Sequence, residues 1–80
     1  MKTSEKIEQR IDNVKEWNQS AGNELHDQMN HAQSSEWSRS ELSDYIKSDN
    51  DVADEHYEPG DPRHAEIREI QDSIINFYGE

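Results

Sequence analysis

The stretch Asp61 to Gly79, DPRHAEIREIQDSIINFYG, decides the fold. Asp61 is placed as an N-cap, because its carboxylate can accept from the free N–H groups of a first helical turn. Pro62 falls at the first helical position, where a missing N–H is harmless. Ile67, Ile70, Ile74 and Phe77 follow at helical spacing, with Ile75 and Tyr78 widening the stripe. Gly79 is placed to end the helix in a left-handed conformation. The spacing predicts a helix over residues 62–78 whose apolar face the rest of the chain must cover.

Moving towards the N-terminus, Ser38-Arg39-Ser40-Glu41 fits a capping box, with Trp37 before the cap and Leu42 placed as its hydrophobic staple. Leu42, Tyr45 and Ile46 then give one apolar face, predicting a helix near 38–48. Residues 4–32 read as a further helix capped by Thr3 or Ser4. Ile7, Ile11, Val14, Asn18, Ala21 and Leu25 form a heptad seam that Gln28 and Ala32 extend. Ser20-Ala21-Gly22-Asn23 is its weak point, since glycine costs roughly 1 kcal/mol in a helix interior, so the helix either continues through Gly22 or bends or stops there. Residues 49–61, DNDVADEHYEPGD, break the helical pattern and read as a connector, with Val52 and Tyr57 as loose anchors. The prediction is one all-α domain over residues 1–80, a small bundle of about three helices.

Only 29% of the 80 residues are apolar, which is little for a chain that must bury its own core. There is no Cys, which removes disulfides and thiolate metal sites and fits a reducing cytoplasm. Oligomerisation is the remaining support, so a homodimer is expected. Ile7, Ile11, Val14, Ile67, Ile70, Ile74 and Phe77 are its core or dimer residues. No apolar run exceeds two residues, so neither a signal peptide nor a membrane span is expected.

The formal net charge is -11. Acidic side chains repel phosphate, so direct binding of nucleic acid or of an anionic membrane is not expected, and a basic protein partner is. More than half of the excess lies in the connector, whose six acids have no Lys or Arg among them. Asp49, Asp51, Asp54, Glu55, Glu58 and Asp61 are therefore the expected partner-binding residues. The competing reading is a solvated segment whose charge only confers solubility.

Other chemistry finds little footing. His26, His31, His56 and His64 read as exposed surface residues, because Asp27 and His31 are one turn apart but no second pair at ligand spacing joins them. Asp49, Asp51 and Asp54 resemble the start of a calcium loop, yet Asp54 and Gly60 stand where its glycine and glutamate belong. No P-loop, GxSxG, GxGxxG or HExxH occurs, so no enzyme, metal or cofactor is expected. Lys2, Lys6, Arg10 and Lys15 alternate with Glu5, Glu8, Asp12 and Glu16, which reads as pairing within a helix and not as a nucleic-acid patch.

In size, acidity, helical pattern and lack of Cys the chain resembles the small acidic proteins that bacteriophages use against host defence systems, some of which mimic DNA. The resemblance implies a stoichiometric inhibitor that acts by occupying a basic surface on a nucleic-acid-handling host protein. Helical carboxylates four residues apart lie roughly 6 Å apart, near the ~7 Å between successive phosphates, which makes charge mimicry physically reasonable. The alternatives are an inhibitor or adaptor that docks through apolar faces, and a structural or assembly module whose dimer face is its function.

Overall fold

The computed structural model describes residues 5–49 and 51–79, with the side chain of Asp49 outside the described set. These residues form α1 (Glu5–Trp17), α2 (Gln19–Ser34), α3 (Arg39–Ser43), a π-helical turn (Asp44–Asp49), α4 (Val52–His56) and α5 (Pro62–Tyr78). No strand occurs among them, so the protein is all-α. The caps expected at Thr3 or Ser4 lie outside the described residues. No described helix is long and apolar enough to cross a membrane.

The predicted first helix is two helices, and the break is at Asn18 rather than at Gly22. Asn18 is extended (φ -156, ψ 91), and its side chain accepts from the Ala21 N–H at 3.0 Å. Asparagine satisfies an orphan donor here better than it continues a helix. Gly22 instead lies buried inside α2, where a Cβ would sit 3.0 Å from both Lys15 Cα and Lys15 N. The glycine thus lets the two helices approach closely just beyond the corner. The seam closes within the chain: Ile7, Ile11 and Val14 of α1 and Ala21, Leu25, Met29 and Ala32 of α2 are buried in one cluster.

Ser38 forms both halves of the capping box, accepting from Glu41 N–H through its hydroxyl at 3.3 Å and donating its own N–H to Glu41 Oε1 at 3.3 Å. Leu42 and Ile46 are buried, and half-buried Trp37 packs edge-on against Tyr45 with ring centroids 5.1 Å apart. The connector is not all loop, because α4 lies within it. Asp51 caps α4 by accepting from Asp54 N–H at 3.4 Å, and Val52 and Ala53 enter the core. The sequence's polarity concealed a short helix because only two of its residues face inward.

α5 runs from Pro62 to Tyr78 with Asp61 as its N-cap, as the sequence predicts. It packs against α1, α2, α3 and α4, and Ile67, Ile70 and Ile74 are wholly buried. Two expectations are corrected. Phe77 is not core: it is 37% exposed. At about 100° per residue it falls roughly 90° from the centre of the buried face, whereas Gln71 falls near that centre. Gly79 is extended (φ -70, ψ 138) and not left-handed. What requires glycine there is proximity, since a Cβ would meet Ile75 O at 2.5 Å and Arg39 Cα at 2.9 Å. The radius of gyration, 11.6 Å, is what one compact chain of this length has by itself.

Candidate functional site

The acidic connector folds over the N-terminal half of α5, and the pairing there decides which carboxylates remain available. Arg68 Nη2 donates to Asp51 Oδ2 at 2.7 Å and to Asp54 Oδ1 at 3.3 Å. His64 Nε2 lies 2.7 Å from Asp54 Oδ1, and Arg63 donates to both oxygens of Asp61 at 3.2 and 3.1 Å. The His64 hydrogen bond, aided by the charges of Arg68 and His64, holds the Asp54 carboxyl below the usual aspartate value. The side-chain and backbone hydrogen bonds of Arg63 do the same for Asp61.

Wholly buried Gln71 reaches the same place from beneath. In the amide orientation that satisfies both neighbours it donates to Asp51 Oδ1 at 3.2 Å and accepts from Val52 N–H at 3.1 Å. Asp51 is therefore a helix cap, an ion-pair partner and a buried hydrogen-bond acceptor together. Its role is to seat α4.

Beyond α4 the chain turns through Glu58-Pro59-Gly60-Asp61, closed by Asp61 N–H to Glu58 O at 3.1 Å. Proline at the second turn position and glycine at the third, with φ 102 at Gly60, suit this turn. Tyr57 fixes its near side: Asn18 Nδ2 donates to the Tyr57 hydroxyl at 3.1 Å, and the Arg63 guanidinium lies 4.7 Å from the ring centroid. An open concavity of about 580 Å³ runs along Asp54 to Asp61. Glu55 and Glu58 are exposed on this rim. A second concavity, about 220 Å³, lies where α2 faces the π-helical turn and α4 and is lined by Glu24, Asp27, Gln28, Tyr45, Val52 and Glu55. No described Lys or Arg lines it. Burial, and then the Asp27 charge, raise the Tyr45 hydroxyl pKa.

The six expected partner-binding residues thus separate. Asp51, Asp54 and Asp61 are tied to bases of α5, while Glu55 and Glu58 face outward; the Asp49 side chain lies outside the described residues. The six predicted core residues Ile7, Ile11, Val14, Ile67, Ile70 and Ile74 are buried within one chain. The histidine reading needs correction: the side chains of His56 and His64 are only 19% and 12% exposed, each against a carboxylate. Sequence reasoning missed Glu24, His56, His64 and Arg68. One signal was present, since His64 and Arg68 stand one turn apart on α5 and neither has an acid four residues before it.

Elsewhere, five of the seven described Lys and Arg side chains are held in ion pairs: Arg10 with Glu66 and Glu69, Lys15 with Asp12, Lys47 with Asp72, Arg63 with Asp61, and Arg68 as above. On α1, Glu8, Asp12 and Glu16 are all exposed at a spacing of four. No family model matches the chain, and comparison with curated proteins and with solved structures gives no match.

Proposed function

We propose that the protein acts by binding, as an acidic inhibitor or modulator that occupies a basic surface of a nucleic-acid-handling protein. The observation that carries this reading is the fate of the bases. Most are drawn into pairs within the chain, while Glu55 and Glu58 stand outward on a helix and turn that are anchored from beneath. A seated row of carboxylates loses little freedom on meeting a basic surface, and its field speeds the encounter. The phage anti-defence and DNA-mimic versions are particular cases of this reading. One observation favours a second patch for mimicry: Glu8, Asp12 and Glu16 repeat along α1 at roughly 6 Å, nearer to phosphate spacing than anything on the short α4.

Self-association is a separate proposal with less support. The stripes that called for a dimer are covered within one chain. Exposed Phe77 borders a concavity with Lys6 and Arg10, in the first half of α1, while exposed Trp17 ends that helix, ~10 Å or more further along it. The two do not make one patch.

The test is a pull-down from host extract followed by measurement on the recovered partner. Glu55→Gln with Glu58→Gln, and separately Glu8→Gln, Asp12→Asn and Glu16→Gln, are compared with the parent across salt concentrations, with circular dichroism reporting the fold. The expected result is weakened binding by one variant set, a steep salt dependence, and displacement of the protein by duplex DNA. A flat salt response with neither set weakening the complex would move the interface to the apolar residues Trp17 and Phe77.

A further inference from the structure

We propose that Glu24, Glu55 and His56 form a site for a divalent transition-metal ion of the zinc class, joining α2 to α4. One ligand atom from each residue lies within 4.8 Å of the other two. His56 Nε2 is 2.5 Å from Glu24 Oε2, and the imidazole is mostly covered. Its ring nitrogen is thereby aimed at the Glu24 carboxylate and not at solvent.

An ion pair between Glu24 and His56 accounts for only two of these groups. Glu55 adds a second carboxylate beside one imidazole, so the trio remains net negative even when His56 is protonated. A dication balances two carboxylates and takes a neutral imidazole nitrogen as a third ligand.

The geometry lies within reach. Zinc binds imidazole nitrogen and carboxylate oxygen at about 2.0–2.2 Å, and tetrahedral placement separates the ligand atoms by roughly 3.3 Å. The Glu24–His56 pair must open by less than about 1 Å, and Glu55, exposed at the rim, must swing inward. Water or Asp27, three residues from Glu24 on α2, completes the shell; Glu24, Asp27 and Glu55 all line the 220 Å³ concavity. A nitrogen-containing set with few ligands suits zinc over magnesium, which prefers six oxygens and keeps its water. The spacing of these residues along the chain gives no hint of the site, because α2 and α4 come together only in the fold.

The inference goes beyond the proposed function. It shares Glu55 with that reading, but it is tested on the full chain with no partner present, and the α1 carboxylates test that reading apart from it, so either can fail without the other. ZnCl2 and MgCl2 are titrated separately by calorimetry, and thermal melts are recorded in each. One zinc ion per chain is expected, with no magnesium heat at the same concentrations. With free zinc at a hundredfold excess over Kd, the melting midpoint should rise by roughly 10 °C or more. Glu55→Gln leaves the Glu24–His56 pair in place, so its fold is retained. It should lose affinity by at least the roughly tenfold that loss of even a supporting group costs, as should His56→Ala. Glu36→Gln, outside the trio, should bind as the parent does. Absence of zinc heat, equal binding of magnesium, or parental zinc affinity in both Glu55→Gln and His56→Ala would each overturn the site.

Discussion

Replacing Gly22 by alanine sets two effects of opposite sign against each other. Alanine in a helix interior is favoured over glycine by about 1 kcal/mol, so an unobstructed site would be stabilised. At Gly22 the added Cβ would stand 2.3 Å from Lys15 Cγ and 3.0 Å from Lys15 Cα and N. The Lys15 side chain can rotate away, but its backbone can yield only if α1 and α2 separate. Overpacking of this kind costs about 1–3 kcal/mol, so the packing term outweighs the propensity term. The expected net effect is a loss of about 1 kcal/mol. For a domain of this size that lowers the melting midpoint by roughly 4–8 °C. Urea unfolding followed by helical circular dichroism measures it directly. In a Lys15→Ala background the loss should shrink, because Cγ is gone, but it should not vanish, because the backbone contact remains. A Gly22→Ala protein more stable than the parent would refute the close corner at Asn18 and restore a long first helix.

Three further outcomes are expected. Ser38→Ala should cost about 1 kcal/mol by removing the capping box, read as a shift in the denaturation midpoint. Ile70→Asp should abolish the cooperative unfolding transition, since an unpaired carboxylate at a wholly buried position costs several kcal/mol or more. Asp54 has a folded-state pKa below its unfolded value, so the stability it contributes is present above the usual aspartate range and fades as pH falls through the lowered one. Asp54→Asn should flatten that part of the acid-stability curve, and an unchanged curve would show that the His64 contact carries no linkage.

What could be read from the chain tracks the range of the physics involved. The capping box at Ser38, the Asp61-Pro62 start and the isoleucines of the α5 stripe are written in neighbouring residues, and all three appear in the structure as predicted. By sequence Asn18 is a weak seam position, because its neighbours continue a helical pattern. Only the Tyr57 hydroxyl, 39 positions away, together with the cap to Ala21, gives it another role. Phe77 misled because a repeat of three and four marks a face without marking the face's edge. In the acidic connector the local sequence shows only charge. Its partners Arg63, His64 and Arg68 stand in the next helix, and no local rule brings Arg68 back to Asp51 across 17 positions.

Because α5 touches each of the other four helices, the order in which the protein is made matters. Synthesis delivers α1 to α4 first; α1 and α2 can already pack on each other, but α4 still lacks its main neighbour, α5. Before Ile67, Ile70 and Ile74 emerge, the nascent chain holds a corner of α1 on α2 and little else that can be sealed from water. Completion of the core is deferred to α5. A ribosome stalled near Gly60 would therefore carry a segment that nascent-chain binding factors still recognise, and one stalled beyond Tyr78, clear of the exit tunnel, would not.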